Sequence, residues 1–175
     1  MIALYIIAGL IILFLVVAAF VGTAWRYEKS VLIQAPRPSV WHHVNSLAEM
    51  NSWNPWLDKD PGLSQELTGM DGTPGATYSW DSKVKDVGAG RQTIVAVTAP
   101  TEVTTRIQFI RPFKGLGEAY IRLEEERGAT RAAWGIESST PYPMNIIKLF
   151  GVIEKNMNRD FGKGLNKLKE ICEKS

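Results

Sequence analysis

Ile146-Ile147-Lys148-Leu149-Phe150-Gly151-Val152-Ile153-Glu154-Lys155-Asn156-Met157-Asn158-Arg159-Asp160-Phe161, continued through Gly162-Lys163-Gly164-Leu165-Asn166-Lys167-Leu168-Lys169-Glu170-Ile171-Cys172, is the stretch that decides the fold. Ile146, Phe150, Ile153, Met157, Phe161, Leu165, Leu168 and Cys172 recur every three or four residues, the spacing of one helix face. Lys155, Arg159, Lys163, Lys167 and Lys169 fall mostly on the other face. One long amphipathic helix is predicted, and its apolar face needs a surface to lie on. Gly162 and Gly164 each cost a helix about 1 kcal/mol relative to Ala. They mark either a close approach to that surface or a break.

The surface is supplied by the residues before it. From Gly62 to Ser139 the signals are almost all those of strands, about six of them. They are punctuated by Asp71-Gly72, Pro74-Gly75, Gly88-Ala89-Gly90, Ala99-Pro100, Pro112 and Gly128, as antiparallel hairpins are. Val103, Thr105, Ile107 and Phe109 share one strand face. Ala119, Ile121 and Leu123 share another, and Thr130, Ala132, Trp134 and Ile136 a third. Upstream, Tyr27 to Gln34 reads as a strand stopped by Ala35-Pro36. Val40, Val44 and Leu47 repeat at helical spacing, and a second short helix covers Ala48 to Trp53, ended by Asn54-Pro55. The order is strand, two short helices, antiparallel sheet, long helix. It predicts an α+β domain over residues 26–175, with an apolar cavity between a curved sheet and the helix it wraps.

No Lys, Arg, Asp or Glu precedes Arg26, so Ile2 to Trp25 is an uncharged run of 24 residues. As a helix it would span about 36 Å, enough for a hydrocarbon core of about 30 Å. Tyr5 at one end and Trp25 with Tyr27 at the other are placed like interfacial aromatics. Gly22-Thr23-Ala24 resembles a signal-peptide cleavage site, but no basic segment precedes the run and it exceeds the usual apolar region of a signal peptide. Residues 1–25 therefore read as a single-pass transmembrane anchor. Arg26, Lys29 and Arg37 after it favour a cytoplasmic domain by the positive-inside tendency. The formal net charge of +2, with charges interspersed, gives no nucleic-acid footprint. The single Cys172 excludes an internal disulfide framework.

Several motifs, in order, resemble one superfamily. Val31-Leu32-Ile33-Gln34-Ala35-Pro36 with Val40-Trp41 looks like its first strand and helix, and Trp53-Asn54-Pro55-Trp56 like its tryptophan-rich stretch. Pro74-Gly75-Ala76, Pro112-Phe113, Thr130-Arg131 with Trp134, and Phe161 through Gly164-Leu165 to Leu168 fall where comparable residues fall in its bacterial members. From Glu28 onward the chain resembles the SRPBCC superfamily. This is the helix-grip fold of START lipid-transfer domains, polyketide cyclase/dehydrase-like proteins and birch-pollen-type allergens. The resemblance implies a hydrophobic ligand cavity but no reaction.

Few residues could carry chemistry. His42 and His43 are adjacent and point about 100° apart on a helix, so they cannot form a metal-binding pair, and neither a metal nor a cofactor is expected. Trp53 and Trp56 read as a plug seating the short helices, as a rim at a pocket mouth, or as both. Tyr78 and Trp80 share a strand face, as do Tyr120 and Arg122. Tyr78, Trp80, Phe109, Trp134, Phe150, Met157 and Phe161 are the expected ligand-binding side chains, aromatic or flexible and on faces that should turn inward. Gly88-Ala89-Gly90 lacks the third glycine of a dinucleotide fingerprint, and Glu124-Glu125-Glu126 before Arg127-Gly128 reads as a solvated hairpin tip. No nucleophile elbow, carboxylate pair or catalytic triad can be assembled.

Three functions fit these residues. The first is a membrane-anchored binding or transport protein for a small hydrophobic molecule such as a lipid, quinone or polyketide-like compound. The others are a cyclase/dehydrase-type enzyme acting on such a molecule and a protein-interaction module like Hsp90-activator domains. The anchor can be tested directly. The full-length chain should stay with membranes through a carbonate wash, and a chain beginning at Arg26 should be soluble. A mature N-terminus just after Ala24 would identify a signal peptide instead.

Overall fold

The computed structural model describes residues 1–174. The first helix, α1 (Ile2–Phe20), is followed after three residues by strand β1 (Ala24–Ile33), then by short helices α2 (Arg37–His42) and α3 (Leu47–Trp53) and a 3-10 turn at Leu57–Lys59. Six strands follow: β2 (Ser64–Thr68), β3 (Thr77–Asp81), β4 (Ala89–Thr98), β5 (Glu102–Arg111), β6 (Gly115–Glu126) and β7 (Ala129–Ser139). A 3-10 segment (Met144–Phe150) then leads into the last helix, α4 (Val152–Lys174). All seven strands form one antiparallel sheet in the order β1-β7-β6-β5-β4-β3-β2. This is the helix-grip α+β fold.

The register brings the three apolar strand faces together. Val103 pairs with Ile121, and Thr105 with Ala119. Across the next ladder Ile121 pairs with Trp134, Ala119 with Ile136, and Leu123 with Ala132. Paired residues point to the same side, so these faces merge into one concave surface. The core forms where Leu165, Leu168 and Cys172 of α4 meet that surface beside Val40, Leu47, Met50 and Trp53 of the short helices. Each such side chain contributes about 1.5–3 kcal/mol by leaving water.

Two features differ from the sequence reading. α1 ends at Phe20, and Trp25 lies in β1 opposite Ser138, its indole donating to Thr140 Oγ1 at 3.2 Å. Strand pairing satisfies a backbone that an interfacial position would leave to water. The helix predicted from Ile146 is also interrupted. Gly151 adopts left-handed backbone at φ 62°, ending the 3-10 segment, and α4 starts only at Val152. Phe150 is consequently exposed at the surface and does not lie on the sheet-facing side of α4. α1 is long and apolar enough to cross a membrane, a property that anchors and signal sequences share.

The loop after α3 is fastened to α4 by charge. Asp58 accepts from Lys163 and Lys167, each at 3.1 Å, and hydrogen bonds from both lysines hold its carboxyl below the ordinary range. Asp160 is buried, which alone would raise its pKa. Hydrogen bonds from Arg159 and the charge of Lys59 more than offset this, so it too lies below the ordinary value. These contacts fix the Asn54–Trp56 loop over the helix, where Gly164 makes room for it.

The two glycines of α4 respond to different constraints. A Cβ at Gly164 would come 2.8 Å from Trp134 Cζ3 and 3.1 Å from Pro55 Cδ, whereas at Gly162 its nearest neighbour would be the mobile Lys29 ammonium at 3.0 Å. Gly162→Ala should therefore be neutral or stabilise by up to about 1 kcal/mol through helix propensity. Gly164→Ala should destabilise by about 1–3 kcal/mol through overpacking. Denaturant unfolding of the two variants checks the contrast, and a stabilised Gly164→Ala would refute the close approach.

Candidate functional site

The concave face is organised around Trp134 of β7. Its indole stacks on Phe161 of α4, with ring centroids 4.1 Å apart and an interplanar angle of 11°. The edges of Trp53 and Trp56 meet it at 5.1 and 5.8 Å. Trp53 is fully buried and its indole donates to the His43 carbonyl at 2.8 Å, so it is the plug. Trp56 is half-buried against Trp134 and Phe161.

Trp134 belongs to both apolar clusters of the interior. On one side of it lies a cavity of 30 Å³, as explored by a water-sized sphere, lined among others by Met50, Trp53, Val103, Ala119 and Ile121. A water needs about 10–15 Å³ by that measure, so the space admits two or three waters and not a lipid. Its polar lining includes Gln92, Thr105 and Asn54. Gln92 Nε2 donates to Thr105 Oγ1 at 3.1 Å, and that hydroxyl donates to the Ala119 carbonyl at 3.4 Å. On the other side of Trp134 is a second, half-buried apolar cluster (the trough). Trp25, Tyr27, Ile107, Phe109 and Met157, all half-buried, surround Phe161 and Ile136 there. At its edge the Tyr27 hydroxyl and the Lys29 ammonium donate to Asn158 Oδ1 at 3.1 and 2.6 Å, and burial raises the Tyr27 pKa.

The expected ligand-binding residues divide accordingly. Trp134, Phe161, Phe109 and Met157 come together at the trough. Tyr78 and Trp80 also face inward and stack at 6.1 Å, but further along the sheet; Tyr78 donates to Gln65 Oε1 at 3.0 Å and Trp80 to the Val87 carbonyl at 3.2 Å. Burial raises the Tyr78 hydroxyl's pKa. Phe150 does not join them. Tyr120 turns its ring to the convex face, where its hydroxyl accepts from Arg26 at 2.7 Å and donates to Glu28, while Arg122 pairs with Glu102 at 3.0 Å. Neither side chain reaches the concave space.

Gln92 escaped the sequence reading. The β4–β5 register shifts between Ile94 and Ala96, so strict alternation fails in β4 and no stripe marks Gln92 as inward. His43 Nδ1 lies 3.2 Å from Glu49 Oε2, and among the described residues no group of three or more His, Cys, Asp and Glu is placed to hold a metal ion.

The family described as "Polyketide cyclase / dehydrase and lipid transport" matches residues 24–173, and the chain belongs to it. No curated protein sequence matches the chain. Among solved structures it is similar to Ara h 8.0201 (TM-score 0.60, 14% identity, 87% of this chain and 99% of that one). It is also similar to truncated norcoclaurine synthase from Thalictrum flavum (0.61, 9%, 85% and 92%). A third similar structure is protein Ms6760 from Mycobacterium smegmatis (0.55, 19%, 83% and 89%). At these identities the likeness is one of fold.

Phe161 is buried and backs Trp134, the side chain shared by cavity and trough, so Phe161→Ala should do two things. It should destabilise the domain by about 3–5 kcal/mol, as truncation of a buried aromatic does. It should also join the two spaces, raising the emission of an apolar dye such as ANS at temperatures where the variant is still folded. Loss of stability without greater dye uptake would mean that the interior collapses on the vacancy.

Proposed function

We propose that the chain is a membrane-anchored binding protein for a small hydrophobic molecule, such as a lipid, quinone or polyketide-like compound, that carries at least one hydrogen-bonding group. The observation that carries this reading is the pairing of an aromatic trough with the Gln92–Thr105 pair just beyond Trp134. Sites for such ligands combine an apolar wall with a few oriented polar groups. The trough would take the apolar body. A shift of the Trp134–Phe161 stack would open the way to the amide and hydroxyl. Tyr78, Trp80, Phe109, Trp134, Met157 and Phe161 would contribute the wall.

Retention of α1 is supported by Asn145. This side chain is buried, and its amide donates to the carbonyls of Ala18 and Val21 at 2.8 and 2.6 Å. Cleavage after Ala24 would remove both acceptors. A tethered domain also works beside the bilayer in which such ligands concentrate, so its effective ligand concentration is high.

A second reading, the interaction module, is favoured by one observation: the cavity beside Trp134 is only 30 Å³. The two readings separate at Met157, half-buried at the trough. Under the binding reading, Met157→Trp should fill the trough, weaken binding of an apolar fluorescent probe and leave the thermal midpoint nearly unchanged. Under the other, the same change should overpack a dense core and destabilise it by about 1–3 kcal/mol, in a protein that never bound the probe. Native mass spectrometry for a co-purifying small molecule would identify the ligand class.

A further inference from the structure

The large apolar side chains left exposed outside α1 are unevenly distributed. All but Leu67 and Met70 lie at the end of the sheet from which α1 departs. Phe113 (78% exposed) and Leu116 (61%) are at the β5–β6 hairpin, and Tyr142 (52%), Met144 (51%), Leu149 (60%) and Phe150 (74%) are on the segment between β7 and α4. The hairpin belongs to this end because Gly117 pairs with Ser138, and Ser138 with Trp25, five residues beyond the end of α1. The opposite end carries the Glu124-Glu125-Glu126-Arg127 tip. An apolar patch of this kind on a monomer marks a surface that something covers.

The structure also fixes how deep this patch sits relative to α1. The Tyr142 hydroxyl is 3.5 Å from the Leu15 carbonyl, Asn145 caps Ala18 and Val21, and Lys148 Nζ donates to the Gly22 carbonyl at 2.7 Å. Leu15 precedes the end of α1 by five residues, about 7 Å along the axis. With 19 residues, α1 spans about 28 Å, slightly less than a hydrocarbon core of about 30 Å, so Leu15 cannot rise out of the membrane without drawing the far end in. The segment beside it must descend to the same level.

We propose that this end of the domain is a second membrane-contacting surface. The Tyr142–Phe150 segment and the Phe113–Leu116 hairpin sink into the interface of the leaflet where α1 ends. The domain then lies against the bilayer, with the Trp25 end of the trough facing the lipid. Aromatic and aliphatic side chains occupy the headgroup–acyl boundary, and Lys114 and Lys148 lie at phosphate level, the arrangement of an interfacial amphipathic surface. The inference rests on retention of α1 in the membrane.

The test uses the full-length protein in phosphatidylcholine vesicles. An environment-sensitive fluorophore is placed by Leu10→Cys, Phe113→Cys, Phe150→Cys or Arg127→Cys in separate samples. The native Cys172 is buried, with its thiol pushed up to about 11, so the unsubstituted chain serves as the labelling blank. Lipids spin-labelled at the headgroup or at mid-chain act as quenchers. Labels at positions 113 and 150 should be blue-shifted and quenched several-fold more by headgroup-labelled lipid than the label at 127, while the label at 10 responds to mid-chain quencher. Quenching at 10 with positions 113 and 150 behaving like 127 would overturn the inference and leave the anchor intact. A blue shift at 113 and 150 without lipid quenching would assign the patch to a second copy or another protein, and would also overturn it. A label at 10 insensitive to both quenchers would overturn the anchored reading, and this inference with it.

Discussion

The contact on which the rest depends is the face-to-face stack of Trp134 on Phe161. It joins the long helix to β7, and the neighbouring structure is arranged to allow it. Gly164 removes the side chain that would collide with the indole, and Pro55 closes over the same spot. The loop bearing Pro55 is held down by Asp58 between Lys163 and Lys167. Exposed ion pairs of this kind add little stability, about 0–1 kcal/mol each. Their effect here is positional: they set the loop's height over the helix, and with it whether Trp56 covers the trough.

The stack also explains how an interior this apolar stays nearly full. Curved sheets wrapped on one helix leave space that the helix alone cannot fill. Here three tryptophans and a phenylalanine fill it, meeting mostly edge to face. What remains empty lies against Gln92 and Thr105, so the residual space is polar at one wall and suits water. Opening it to a larger guest means turning aromatic rings within a packed surface, without disturbing the hydrogen-bonded ladders behind them.

The architecture was legible because its periodicities are long and unbroken. Val103 to Phe109, Ala119 to Leu123 and Thr130 to Ile136 alternate cleanly, and Phe161 to Cys172 keep helical spacing, so the covered face and its cover could both be named. Legibility ended where a local backbone choice overrode the pattern. Ile146 and Phe150 continue the helical repeat, but left-handed Gly151 ends it, freeing the preceding turn to run along α1. The bulge in β4 hid Gln92 in the same way. Asn145 gave no signal at all, since a capping role across the fold depends on where two distant helical segments meet. The size of the cavity depends on side-chain rotamers, which no residue pattern specifies.

The sheet order has a consequence for how such a chain comes into being. β1 follows directly on α1 and is the first part of the domain to be synthesised, yet it pairs along one edge with β7 and along its inner face with α4. Ala24 finds its partner in Ser139, more than a hundred residues later. Contacts so distant in sequence are slow to form, because the loop must be closed before they repay its entropy. The nascent strand therefore waits unpaired until β7 and α4 have been made. A chain that stops before α4 leaves its apolar concave sheet uncovered.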